Sequence, residues 1–148
     1  MNFSLLILIC AYFLHMIEEY KCGWLKWARS LSGLAIREIE FIIVNALVLI
    51  IGISCTIIGY SCPIISLSFA GLVLVNALFA HIGTTIVKHI YSPGTITSIF
   101  LFLPLGIWVY YDSIARNIIS VYAVFITLII GFAMMSVPII FQIIKSKK

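Results

Sequence analysis

The sequence predicts an all-α protein, a polytopic transmembrane helical bundle of five spans with its N-terminus out and its C-terminus in. Three observations predict it. The 148 residues are 64% hydrophobic and only 9% charged, with a mean hydropathy of +1.24, far beyond the apolar content of an ordinary globular domain. Five apolar stretches, each near or above the ~20 residues that a bilayer crossing needs, fill the chain and leave room for one domain over residues 1–148. The basic residues are also unevenly placed. With five spans, Lys21, Lys26, Arg29, Arg37, Lys88, Lys145, Lys147 and Lys148 fall on one side and Arg116 alone on the other, a positive-inside asymmetry that sets the orientation.

The first span covers residues 3–20. No positive region precedes its apolar run and no small-residue cleavage site follows it, so it reads as a span and not as a signal peptide. Lys21 to Arg29 carries Trp24 and Trp27 among basic residues, the composition of an interfacial anchor, and the stretch up to Arg37 predicts a short helix in the headgroup region. The second span covers residues 38–60 and stops at Ser61-Cys62-Pro63. A third covers residues 64–89 and is broken by Tyr91-Ser92-Pro93-Gly94, where Pro fixes φ and Gly allows a positive φ. The fourth covers residues 95–111, with a kink expected at Pro104-Leu105-Gly106. The fifth covers residues 117–144 and is interrupted by Pro138. Cys10, Cys22, Cys55 and Cys62 form no CxxC pair, and Cys10 and Cys55 read as small hydrophobes. The formal charge of +4 is scattered over segment ends and forms no aromatic-interleaved basic patch, which argues against a nucleic-acid partner.

Candidate chemistry centres on His15-Met16-Ile17-Glu18-Glu19. At ~100° per residue Glu18 and Glu19 lie about 60° to one side and 40° to the other of His15, so the three groups share a helix face. Each would cost roughly 2.5–3.5 kcal/mol at a span centre, which calls for a partner, a metal or a reaction. His15 and His81 are expected at similar depth in the inner leaflet. His81, Thr85 and Lys88 form a polar stripe on span three facing the span-one carboxylates. Asn76 is about 140° from His81 in a regular helix. That geometry turns it toward another helix, with Asn45 as the expected partner, unless span three is bulged.

The leading reading is a metal-dependent enzyme acting on a lipid or other hydrophobic substrate. His15 and His81 would ligate zinc, iron or manganese, Glu18 and Glu19 would serve as ligand and general base, and Lys88 or Asn76 as helper. Other readings stay open: a metal-free acid–base pair, interfacial pairing of Glu18 and Glu19 with Lys21, Lys26 or Arg37, a proton-coupled transporter, which would favour a homodimer, and an accessory or immunity-type protein without chemistry.

The ordered set His15-Met16-Ile17-Glu18-Glu19, Asn76 to His81, and Tyr91 to Gly94 resembles the bacterial HXXEE-domain membrane proteins, a family of uncharacterised function, over nearly the whole chain. The resemblance implies a multi-pass protein of the bacterial inner membrane in which His15, Glu18, Glu19, Asn76 and His81 belong together. A Glu-Glu-x-x-x-Arg pattern, as in CAAX-type membrane proteases, would require Arg where the chain has Gly23.

Overall fold

The computed structural model describes residues 3–146. Lys147 and Lys148, two of the residues behind the expected orientation, lie outside them. All regular structure among the described residues is helical. Five helices are long and apolar enough to cross a membrane. We label them α1 (Phe3–Lys21), α3 (Glu38–Ser61), α4 (Pro63–Lys88), α5 (Thr95–Ala115) and α6 (Val121–Ser146). The short α2 (Trp24–Ser32) sits between the first two and is amphipathic, as the Trp-rich basic stretch predicts. Large apolar side chains are exposed on every long helix, from Phe3 and Ile57 to Val87, Phe100 and Phe132, so the outer surface is as greasy as the inside.

Helix α4 is the centre of the bundle. Buried residues make up 61% of its apolar window, against 11% for α6 at the periphery. Leu67, Phe69, Val73 and Ala77 on α4 pack with Leu5 and Leu8 of α1 and with Phe102 and Val109 of α5, all without exposure. Helix α6 docks on α4 through two glycines. A Cβ on Gly131 would collide with Leu72 N and the Gly71 carbonyl carbon, and one on Gly71 would collide with Thr127 O; only small residues let two backbones approach so closely. Tyr110 Oη on α5 donates to Leu67 O at 3.0 Å and meets Thr127 Oγ1 at 2.6 Å, tying α4, α5 and α6 together. At the other end of α6, Lys145 and Gln142 reach Glu40 on α3, which also holds Arg37 at 2.8 Å.

Two π-helical segments depart from the regular spans. Helix α4 is π-helical over Asn76–Gly83 and returns to α geometry over Thr84–Lys88. Helix α5 is π-helical over Ser98–Phe102, just before Leu103 and Pro104 open its long α segment. The irregularity expected at Pro104-Leu105-Gly106 therefore lies one turn earlier. A proline ring collides with the carbonyl four residues back, here Phe100, and the wider turn relieves that collision. Pro138 interrupts nothing: α6 continues through it from Val121 to Ser146. The four cysteines are free.

Gly131→Val is expected to lower stability by about 1–3 kcal/mol through overpacking at the α4–α6 contact. Ile129→Val, on a residue 68% exposed, should be neutral. Thermal denaturation in detergent measures both, and equal midpoints for the two variants would refute the close-packing account.

Candidate metal centre

His15 and Glu19, four residues apart, occupy one face of α1 and turn into the bundle, where His81 from α4 meets them. The three side chains are buried, with His15 at 0%, His81 at 1% and Glu19 at 6% exposure. The imidazole rings stand edge to face with centroids 4.7 Å apart, as their matched heights on α1 and α4 predict. Glu19 Oε1 lies 3.6 Å from His15 Nε2 and 3.4 Å from His81 Nε2. One ligand atom from each residue falls within 4.8 Å of the other two. Phe102 packs its ring against His15 at 4.4 Å and stacks on Tyr12, closing the apolar side.

Proton positions follow from the hydrogen-bond network. The Thr97 hydroxyl donates to Glu18 Oε2 at 2.5 Å, so its oxygen accepts from His15 Nδ1 at 2.7 Å. The Ser92 hydroxyl donates to Ala80 O at 3.5 Å and accepts from His81 Nδ1 at 3.2 Å. In this arrangement both Nδ1 atoms can serve as N–H donors to the hydroxyls, with both Nε2 atoms turned toward Glu19 Oε1 and Asn76 Nδ2 beside that of His15. Such a convergence of buried polar groups in an apolar interior calls for a shared proton or a bound cation. Ligand atoms about 2.0–2.2 Å from one ion at tetrahedral angles stand about 3.3–3.6 Å apart; the two Nε2–Oε1 separations, 3.6 and 3.4 Å, fall in that range, and the whole group lies within 4.8 Å. The donor set of two imidazoles and a carboxylate suits zinc, iron or manganese, with Thr97 and Ser92 orienting the rings from the outer shell.

Glu18 does not join the cluster. Its Oε1 accepts from Tyr91 Oη at 2.7 Å, Gly94 N at 3.0 Å and Ile96 N at 3.1 Å, while its Oε2 accepts from Thr97 N at 2.8 Å and from the Thr97 hydroxyl. A carboxylate from α1 thereby caps the N-terminus of α5, satisfying amide donors that the helix itself cannot. The expectation that Glu18 shares the ligand and base roles is corrected accordingly, since its lone pairs are committed to the turn. Burial and the adjacent Glu18 carboxylate hold the Tyr91 phenol above its ordinary range, so it remains a donor. Interfacial pairing fails too: neither Glu18 nor Glu19 forms an ion pair with Lys21, Lys26 or Arg37 among the described residues, and Arg37 pairs with Glu40.

Asn76 reaches the cluster through the bulge in span three that the sequence leaves open, and does not meet the Asn45 partner expected for a regular helix. Its Nδ2 lies 3.4 Å from His15 Nε2, because the π-helical turn bonds residue i to i+5 and so brings positions 76 and 81 onto one face. Asn45 instead accepts from Tyr12 Oη at 2.8 Å and donates to Phe41 O. Lys88 lies outside the centre, exposed and without an ion pair among the described residues. Thr85, its neighbour on the polar stripe, does serve the turn: its hydroxyl oxygen accepts from Ser92 N and meets Thr95 Oγ1 at 2.9 Å.

Gly94 packs against both imidazoles. A Cβ there would sit 2.6 Å from His81 Cε1 and 2.7 Å from His15 Cε1, and its φ of +101° disfavours any side chain. In the sequence Ser92 and Gly94 read only as part of the turn and motif Tyr91 to Gly94, without a role at the histidines, and Thr97 is missed altogether. The signal that marks them is the run of hydroxyl residues Ser92, Thr95, Thr97 and Ser98 beside a Pro-Gly turn in otherwise apolar sequence.

A family model described as "Protein of unknown function with HXXEE motif" matches residues 6–109. The chain belongs to the HXXEE family. The matched region holds every member of the centre, from His15 to Thr97, and ends before α6. An uncharacterized Bacillus subtilis (strain 168) protein, YrkK, is 31% identical over 79 residues, covering 52% of this chain and 50% of YrkK; the chain therefore matches about half the length of that relative. No solved structure matches.

Two variants test this geometry without touching a ligand. Gly94→Ala is expected to displace both imidazoles and to cost about 1–3 kcal/mol in a detergent melt; an unchanged midpoint would refute the contact. Glu18→Ala strands the α5 amides and is expected to cost at least about 2 kcal/mol in a detergent melt, whereas Glu38→Ala, on the exposed start of α3, should leave the midpoint where it was.

Proposed function

We propose that this chain is a multi-pass protein of the bacterial inner membrane, N-terminus out and C-terminus in, that works as a metal-dependent enzyme on a lipid or other hydrophobic substrate. One observation carries the reading: two imidazole nitrogens and one carboxylate oxygen converge in an apolar interior, with both remaining ring nitrogens held by hydroxyls. His15, His81 and Glu19 would hold the ion. Three protein ligands leave a coordination position free, and a divalent ion there supplies Lewis acidity toward a carbonyl or phosphoryl oxygen, or toward water. Around it the chain's own residues have distinct tasks. Thr97 and Ser92 keep both histidines in one tautomer, and Glu18 holds Thr97 in place. Asn76 offers an amide N–H beside His15 Nε2, where it can donate to a group bound at the centre. Phe102 and Tyr12 exclude water from the far side. The orientation rests on the distribution of Lys and Arg.

A proton-coupled transporter has one observation in its favour, the continuous chain from Glu18 through Thr97 and His15 to Glu19. A proton shared among the same acceptors would satisfy them without a metal.

Elemental analysis of detergent-purified protein separates the two readings. The enzyme reading expects about one zinc, iron or manganese ion per chain, lost in His15→Ala and His81→Ala and reduced in Glu19→Gln. Protein free of transition metal, or metal undiminished in the histidine variants, would overturn it, and pH-driven flux in proteoliposomes would then support the transporter.

A further inference from the structure

Glu19 faces two environments. On one side it meets the histidines; on the other it lines a cavity of about 240 Å³ between the end of α1, α2 and the start of α3. Tyr20, Glu38 and Phe41 line the same cavity, together with Lys26 and Arg29 from one face of α2. Arg29 Nε donates to Ile36 O at 2.7 Å, which anchors the guanidinium and leaves its terminal nitrogens without a carboxylate. Neither Lys26 nor Arg29 forms an ion pair among the described residues, although Glu38 and Glu40 lie close in sequence and space. Glu40 is already held by Arg37 and Lys145, and Glu38 accepts from Tyr20 Oη at 3.3 Å. Two unpaired cations and the centre's carboxylate therefore share one small chamber.

We propose that this cavity is a subsite for an oxyanion of the phosphate class, bound between Lys26 and Arg29 with its far side toward the metal centre. The proposal deepens the metalloenzyme reading and rests on it for the role of the ion. Volume and composition both support it. Whole drug-sized ligands occupy about 300–1,000 Å³, so a chamber of about 240 Å³ takes a headgroup and leaves attached acyl chains among the lipids. Arg presents a planar fork suited to phosphate oxygens, and Lys adds a point charge. Glu19 and Glu38 are the carboxylates lining the same cavity, and a divalent ion on Glu19 would lessen the negative charge that an incoming anion meets there. Anion and metal should therefore bind cooperatively, each raising the other's affinity by the same factor.

Isothermal titration of the full chain in neutral maltoside detergent, with dodecyl phosphate and with inorganic phosphate as probes, tests the proposal. The zinc-loaded protein is expected to bind dodecyl phosphate, with at least tenfold weaker affinity in Lys26→Glu and in the double variant Lys26→Ala/Arg29→Ala, and unchanged affinity in Lys21→Ala. Lys26→Glu alters one exposed side chain, so its result stands even where the double variant misfolds. Tighter binding of dodecyl phosphate than of inorganic phosphate assigns the subsite to a membrane-borne headgroup, and equal binding assigns it to a soluble oxyanion. Stripping zinc with a chelator should weaken either probe severalfold. Zinc-loaded protein whose phosphate affinity ignores Lys26 and Arg29 overturns the subsite and leaves the metal centre standing. Lys26-dependent binding in a protein that takes up no metal overturns the metalloenzyme reading and leaves the subsite.

Discussion

The Glu18 carboxylate is the tie on which the centre depends. It belongs to α1 yet accepts five hydrogen bonds from the turn and first residues of α5. Amide donors at a helix start must be satisfied, and here a carboxylate from another helix does it. Anchoring α5 to α1 in this way sets Thr97 against His15 Nδ1, seats Ser92 against His81 Nδ1 and lays Gly94 on the edges of both rings. The two glutamates of the motif therefore divide the work: Glu18 builds the wall and Glu19 turns toward the histidines. Either carboxylate alone would leave the arrangement incomplete, because without Glu18 the turn that holds the rings is not anchored, and without Glu19 no carboxylate faces them.

The two π-helical segments serve the same centre from opposite sides. In α4 the segment Asn76–Gly83 brings Asn76 and His81 onto one face. In α5 the segment Ser98–Phe102 presents Phe102 to His15 while accommodating Pro104. A widened turn gives up regular i to i−4 bonding, and such turns are found mostly where a site gains from them. Here they face each other across His15. Helix α6 contributes nothing to the centre: it packs behind α4 through Gly71 and Gly131 and lies beyond the region shared across the family. The scaffold of the centre is α1, α4 and α5, with α2 and α3 forming the chamber beside Glu19.

Much of the fold is legible in the sequence because its governing quantity, apolar length, is additive along the chain. Several of the long helices start or stop near a Pro, a Gly or a charged residue, as at Pro63, Tyr91 to Gly94 and Lys145. The pairing of His15 with His81 is also legible, because two helices crossing the same slab place residues at equal distance from their ends at equal height. Asn76 is not, because an angle reckoned at 100° per residue fails once a turn is widened, and no local residue pattern announces the widening. Glu18 is misread for a different reason. Adjacent carboxylates look equivalent in a sequence, and only the position of α5 decides which of them finds backbone donors.

The chain's composition and order alone determined an all-helical protein with five helices able to cross a membrane, the family motif, and the titratable residues available for chemistry. Those properties depend on hydropathy and residue identity, which are local. Tertiary structure decided which carboxylate turns toward the histidines, which hydroxyls hold them, and that Lys88 stays outside while Lys26 and Arg29 line the chamber. These depend on distances between residues far apart in sequence, such as His15 to Thr97 and Glu18 to Gly94, which packing sets and hydropathy does not.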